Sequence, residues 1–414
     1  MKKFLSLVLA LTMTMSLVTV SAGAKDFTDS SKIEYKEAVD VVSAAGIVEG
    51  YENGAFNPQN TLTRGAAAKI ICNLILGPTT AGALVADTAP YSDVPTTNTF
   101  AGYIAYCQKE GIISGYADGT FRPAATLTGY AFMKMLLGAL GYDSEIEGYT
   151  GSNWSIAVGK RALGIELDDG NDNFVGTAAV TREEACLYAF NTLKATMVEY
   201  DAKTTVSVEG AQVTVGGSEA KNVSQDGYKS YTGDSDDTTL EFCEKNFDKL
   251  KAKDDTNGFD APATKWTYDG DEIGTYDKDA DATLVVADAE KSLETLITDG
   301  DYMDISSKDI DADAKVFFNG LDLGKYSAVK GDDDLAGKGD IIDVYENDDN
   351  DVETIVIRSY TYAKIDAVDD DLSTTLKNRD ASVELSLVDI NGDSLGNGDY
   401  YDDYNSDEKV LNGY

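Results

Sequence analysis

Three hydrophobic patterns follow one another along the chain. From Phe4 to Val20 the run is uncharged and mostly apolar, with Lys2 and Lys3 before it and Ala22-Gly23-Ala24 after it. That layout predicts a secretory leader over residues 1–24, removed before Lys25. Polar sequence starts at once beyond it, so no membrane span is expected in the mature chain. In the second pattern, Tyr35, Ala38, Val39 and Val42 recur at three- and four-residue steps, the period of an amphipathic helix. Gly46 suits the end of that helix. Pro58 keeps the next segment extended, Thr63 suits an N-cap, and Ala66 to Leu76 predicts a second helix. From about Lys203 the period falls to two. Thr204–Val208, Gln212–Val215, Lys265–Tyr268, Ala282–Val286, Ala314–Phe318, Ile341–Tyr345 and Glu353–Ile357 all suit strands, separated by turns rich in Asp, Asn and Gly. Leu240 to Lys251 suits one short helix.

The helical pattern repeats. Gly46-Ile47-Val48-Glu49-Gly50-Tyr51 recurs 65 residues later as Gly111-Ile112-Ile113-Ser114-Gly115-Tyr116. The same offset relates Gly54 to Gly119, Phe56 to Phe121, Pro58 to Pro123, Leu62 to Leu127 and Thr63 to Thr128. A third copy is degenerate. Gly164-Ile165 precedes Thr181 by the interval that separates Gly46 from Thr63, and Thr181 with Glu184 has the spacing of a capping box. This copy lacks the Gly-Tyr and Phe-x-Pro elements. Each unit is helix, loop, helix and buries no apolar face alone, so the three are expected to share one core.

Charge divides the chain. Residues 25–198 hold 20 acidic and 12 basic side chains, whereas residues 199–414 hold 53 and 20. The break near 199 suggests a domain boundary, with a further one near 300. The expected organisation is therefore a leader at 1–24, repeats at 25–82, 83–145 and 146–198, and β-rich regions at 199–300 and 301–414. The fold class is α+β: an all-α bundle of three repeats, then one or two acidic β-rich domains. A formal charge of -39 repels nucleic acid and anionic lipid and attracts divalent cations. Cys72, Cys107, Cys186 and Cys243 are too widely spaced for a zinc pattern. The first three sit on apolar helix faces, which suits buried thiols, while a disulfide between two of them is the alternative in an exported protein.

The chain has no histidine, which removes the usual catalytic triads, Cys-His dyads and metalloprotease helices. An enzyme is not expected. The alternative is a wall-anchored glycoside hydrolase with a carboxylate pair, which activity against wall polymers would reveal. No cofactor is implied. Two acidic turns, Asn347–Asp351 and Asp389–Asp393, suit either calcium or an ordinary hairpin turn; in the second, Ser394 and Tyr400 break the calcium-loop pattern.

Phe27-x-Asp29 and Tyr91-x-Asp93 at the repeat starts, the Gly-Ile-x-x-Gly-Tyr-x-x-Gly-x-Phe-x-Pro loop, and the Leu-Thr-Arg or Val-Thr-Arg-Glu helix start resemble the S-layer homology (SLH) family over roughly Asp26 to Leu193. The resemblance implies a pseudo-threefold bundle. It also implies grooves that hold secondary cell-wall polysaccharide or another peptidoglycan-linked glycan, often bearing pyruvate ketals, at the cell wall or in a self-associating S-layer. It carries the binding role onto Asp29, Asp93, Gly50, Tyr51, Gly115, Tyr116, Thr63, Thr181, Arg64 and Arg182.

The chemistry of the last four can be argued separately. A ketal carboxylate would meet the free N–H groups and partial positive charge of a helix start, where Arg64 and Arg182 follow the caps Thr63 and Thr181. A first-turn arginine on a solvated face is the alternative. Truncating either arginine is expected to weaken binding without altering stability. In repeat two Gly129 stands at that position, and an arginine there is expected to supply the missing fork. Phe56 and Phe121 suit packing between helices. Tyr51 and Tyr116 suit either packing or stacking on sugar rings.

Overall fold

Each repeat folds as two helices joined by a loop rich in glycine and polar residues. Repeat one contributes α1 (Lys36–Ala44) and α2 (Arg64–Gly82), repeat two α3 (Ala101–Lys109) and α4 (Gly129–Leu140), repeat three α5 (Trp154–Gly164) and α6 (Arg182–Lys194). The structure, a computed structural model, describes residues 27–359 apart from 202–203, 209–210, 216, 218, 288–289 and 348. It also describes strand segments at 19–20, 364–369, 381–388, 394–401, 404–405 and 410–411. The expected leader lies outside the described residues except for Thr19–Val20, and the acidic turn at 389–393 lies outside them entirely.

Helices α2, α4 and α6 start the same way. Thr63, Thr128 and Thr181 each accept the N–H three residues on, and Glu184 returns a bond to the Thr181 N–H at 2.6 Å, closing the capping box. The regular part of α2 ends at Leu76, because Gly77 has φ +72° and Pro78 follows it. On α1, Ala38, Val39, Val41 and Val42 are buried as the periodicity requires.

The chain divides into two compact units, Met1–Asp255 with Ala263–Asp277, and Thr256–Pro262 with Lys278–Tyr414. Neither division falls at 199 or 300. In the first unit, Leu240, Phe242, Phe247, Leu250, Trp266, Ile273 and Tyr276 belong to the same buried cluster as the helices. The Trp266 ring meets Phe190 of α6 edge-on at 5.3 Å, and its Nε1–H donates to Glu37 of α1 at 2.6 Å. Tyr276 donates to the buried Asp40 at 2.7 Å. Removing a buried ring like that of Trp266 costs roughly 3–5 kcal/mol, so a cut at 199 would strip the helical core. The composition break misleads because it counts surface charge, which does not report what the interior shares. The expected helix over 240–251 is shorter, α7 at Phe242–Asn246, and Leu250–Thr256 is a strand paired in the sheet with Pro262–Tyr268 and Asp271–Asp277.

The second unit is built on a five-stranded sheet, in the order 321–325, 310–318, 352–358, 341–346, 282–285. The pair 310–318 with 352–358 is parallel and the other pairs are antiparallel. Helix α8 (Leu293–Thr298) buries Leu293, Leu296 and Ile297 against it. Strand 282–285 pairs with 341–346, so residue 300 falls inside this unit. Within the sheet, the buried Asp343 is paired with Arg358 and accepts from Thr283 at 2.7 Å. At the Asn347–Asp351 turn, the Asn347 side-chain oxygen accepts the N–H groups of Asp349 and Asp351 at 2.9 and 3.0 Å. This is hairpin-turn geometry; Asp348 lies outside the described residues.

Candidate functional site

Three extended segments, one before each capped helix, meet in a closed cycle of backbone hydrogen bonds. Leu62 N–H donates to Val180 at 2.8 Å, Val180 to Leu127 at 2.9 Å, and Leu127 to Leu62 at 3.0 Å. The first turn of each helix is drawn into the cycle. Arg64 and Gly65 donate their N–H groups to Ala125 and Pro123, Gly129 and Tyr130 to Ala178 and Gly176, Arg182 and Glu183 to Asn60 and Pro58. With the threonine caps at the third position, the N–H groups of these first turns are already satisfied. The expectation of free N–H donors for an anion therefore fails. The repeats consume those donors to hold one another together, leaving the arginine side chains as the charged groups on offer.

The ten expected site residues divide by role. Asp29 and Asp93 are clamps. The Asp29 carboxylate accepts from the N–H groups of Phe56 and Asn57 at 2.7 and 2.8 Å, and Asp93 accepts from Phe121 and Arg122 at 2.7 Å each. Asn57 and Arg122 lie at φ +55° and +59°, a strained bend that the paired bonds stabilise. Burial alone would raise both carboxyls. The backbone donors outweigh it and hold them below the ordinary aspartate value. Thr63 and Thr181 are caps, their hydroxyl oxygens occupied. Gly50 and Gly115 make room for rings: a Cβ would lie 2.6 Å from the Phe27 ring and 2.3 Å from the Tyr91 ring. Phe56 and Phe121 are buried against those same rings, at centroid distances of 5.1 and 5.3 Å.

The other four face outward, in two pairs. Arg64 reaches into the loop of repeat two, its Nε donating to the Phe121 carbonyl at 2.8 Å and its Nη2 to the Ser114 carbonyl at 3.1 Å. Its guanidinium lies 4.3 Å from the Phe121 centroid and 5.1 Å from that of Tyr116. Arg182 does the same to the loop of repeat one. It donates to Phe56 at 3.0 Å and Glu49 at 2.9 Å and lies 4.8 and 4.7 Å from the Phe56 and Tyr51 rings. Tyr51 and Tyr116 are 46% and 41% exposed, so each arginine has a partly exposed ring beside it, and the Arg122 guanidinium also lies over Tyr116 at 4.0 Å. Burial pulls the Arg64 pKa down while Tyr116 and Tyr91 oppose it. Arg122, Arg161 and Arg358 each have a carboxylate partner, but among the described residues Arg64 and Arg182 have none.

Beside Arg64 opens a cleft of about 320 Å³, lined among others by Ser114, Tyr116, Lys134, Thr150 and Trp154. Lys134 donates to the Tyr149 carbonyl at 2.7 Å, lies 5.8 Å from the Trp154 ring and has no ion pair among the described residues. Its counterpart 65 residues earlier, Lys69, pairs with Glu49 at 3.1 Å. Ser114 occupies the Glu49 position in repeat two, and among the described residues the lining of the Arg64 cleft holds two cations and no carboxylate. The sequence reading missed Lys134, although the repeat offset that aligns Ser114 with Glu49 would have revealed it.

The S-layer homology domain family matches residues 26–68 and 90–129, the segments of the first two repeats. A surface layer protein of Brevibacillus choshinensis is 31% identical over 150 residues, 36% of this chain and 13% of that protein. The cell surface glycoprotein 1 of Acetivibrio thermocellus is 34% identical over 111 residues, 26% of this chain and 5% of its own length. A cellulosome-anchoring protein of the same species is 33% identical over 84 residues, 20% of this chain and 19% of that protein. The first two repeats are thus S-layer homology segments, and the relatives they match are named as surface-layer, cell-surface and anchoring proteins. The chain spans less than a fifth of the length of each of these curated relatives. Among the described residues no helix is long and apolar enough to cross a membrane.

The third repeat corrects two expectations. Phe174 stands seven residues before its cap, as Phe56 and Phe121 do, so the aromatic is kept. It escaped notice because Gly176 replaces the proline. Phe174 packs between Tyr130 and Tyr188, with centroids at 5.8 and 5.7 Å. The groove beside it is filled. Tyr130 lies against Gly159 and Gly176, where a Cβ would come within 2.9 and 2.3 Å of its ring. At Gly129 a Cβ would sit 2.9 Å from the Phe174 ring and 3.2 Å from the Gly176 Cα. An arginine there meets ring and backbone instead of supplying a fork.

Proposed function

We propose that the SLH repeats hold the chain on the cell wall by binding an anionic secondary cell-wall polysaccharide at two grooves, centred on Arg64 and Arg182. Pyruvate-ketal carboxylates are the expected charged groups, and the third groove is silent. The observation that carries this reading is the pair of guanidinium groups that, among the described residues, have no carboxylate partner, in a chain of net charge -39. Each is fixed by two backbone carbonyls beside an exposed tyrosine, which presents a cation and a stacking face together. The cyclic hydrogen bonds support a pseudo-threefold bundle that sets both grooves at repeat boundaries. The acidic β-rich remainder would be displayed at the surface as part of an S-layer, without catalysis. Relatives named as surface layer and cellulosome-anchoring proteins support a structural, wall-bound role.

The test is competition. Full-length protein bound to purified walls should be released by soluble wall polysaccharide, and much less by the same polymer after mild acid has removed its ketals. Equal release by both would refute carboxylate recognition.

A further inference from the structure

A second concentration of charge lies away from the grooves, in the first unit, where the chain leaves the last helix. Asp237, Glu241 and Glu244 bring three carboxylates together, with one oxygen of each within 4.8 Å of the others. Glu241 immediately precedes the short helix α7, and Glu244 lies in its first turn. Glu244 is 3% exposed, Glu241 9%, and Asp237 is half-buried.

Every donor to the cluster is neutral. Glu244 accepts from the Tyr231 N–H at 2.9 Å and from Gln225 Nε2 at 3.2 Å. Asp237 accepts from the Thr239 N–H at 3.1 Å and from Gln225 Nε2 at 3.2 Å. Glu241 Oε1 accepts from the hydroxyls of Thr239 and Thr196 at 3.0 and 3.4 Å, and the Glu241 N–H donates to Glu244 at 3.2 Å in a capping box, while Glu241 Oε2 is buried with no hydrogen-bond partner among the described residues. Among the described residues, no lysine or arginine pairs with any of the three carboxylates.

Carboxylates withdrawn from water without a cation are destabilised. The geometry points to a divalent cation: we propose that Asp237, Glu241 and Glu244 form a calcium site. The donors are oxygens, which suit a hard cation, and their irregular spacing suits calcium rather than the stricter octahedron of magnesium. The Thr239 hydroxyl lies beside the carboxylates, and turning the Gln225 amide over would place its oxygen where Nε2 now sits.

The site also has a structural consequence. Thr196 follows α6 and pairs with Glu241 across an isolated bridge, and Met197 N–H donates to Leu240 at 2.8 Å. An ion here would tie the segment at 225–244 to the end of the last SLH repeat. Calcium would therefore stabilise the anchoring unit itself.

The ring of Tyr231 stacks on Trp266 at 5.9 Å, so an energy donor stands beside the site. The full chain, freed of metal with a chelator, should show terbium luminescence on aromatic excitation, and calcium should quench it by displacement. Glu241→Gln and Asp237→Asn should each weaken calcium competition about ten-fold or more, since affinity follows the charge of the ligands. Both should also lose most of the calcium-induced rise in melting temperature that the parent shows over sodium at equal ionic strength. Comparing the rise within each variant removes any general loss of stability. If both variants keep the parent's luminescence and calcium response, the ion binds at other acidic turns and the proposal is overturned. A parent with no calcium response beyond sodium overturns it too.

Discussion

Arg64→Ala removes a guanidinium that serves both the frame and the groove. Its partly buried Nε–H bond to the Phe121 carbonyl is charge-assisted, a class contributing on the order of 1.5–3 kcal/mol, and the low end applies here. The Nη2 bond to Ser114 is exposed and adds little. The approach to the Phe121 ring at 4.3 Å contributes about 0.5–1 kcal/mol. The expected loss is about 2–2.5 kcal/mol, or roughly 4–10 °C in melting temperature for a unit of this size. This replaces the sequence-based expectation that stability would not change. Wall binding, measured by sedimentation well below both melting temperatures, should weaken about ten-fold or more. Asp93→Asn is the comparison, because it loosens the same loop through Phe121 and Arg122 while keeping the cation. If Arg64→Ala melts early yet holds walls as tightly as the parent, or no worse than Asp93→Asn, the arginine is a brace and not a ligand.

Other outcomes follow from the same geometry. Lys134→Met should weaken wall binding several-fold at low salt and less at high salt, whereas Lys69→Met should change it little, because Glu49 already offsets Lys69. Gly129→Arg should lower the melting temperature through its collision with Phe174 and Gly176 and leave wall affinity no higher; tighter binding would show that the third groove can open. Asp29 has a lowered carboxyl pKa in the folded state, so its contribution is present above its unfolded value near 3.8 and is lost as pH falls through the folded value. The melting-temperature gap between parent and Asp29→Asn should therefore shrink below pH 4; a gap that stays constant down to pH 2 would contradict the clamp.

The repeats, the caps and both arginines were legible because each depends on short spacings. Thr63 with Arg64 and Thr181 with Arg182 are neighbours in sequence, and the 65-residue offset fixed the loops. What Arg64 touches was not legible, since Phe121 lies 57 residues away and belongs to the next repeat. The same distance hid the loss of free N–H groups, whose acceptors Ala125, Ala178 and Asn60 come from neighbouring repeats. Strands 341–346 and 352–358 formed where the pattern placed them, yet both are buried at almost every position and not on one face, and the sharing of Trp266 and Tyr276 with the helical core was not legible at all. Alternation gives one buried face without saying what covers it. The carboxylate cluster at 237–244 matched no linear calcium pattern, because Gln225 and Thr196 complete it from a distance.

The most direct test of the account is sedimentation of the full chain with purified walls, before and after extraction of the secondary polysaccharide, alongside the Arg64→Ala, Arg182→Ala double variant. The account predicts that the parent binds only untreated walls and that the double variant binds neither. Equal binding of parent and double variant to untreated walls, or undiminished binding of the parent to extracted walls, would contradict it.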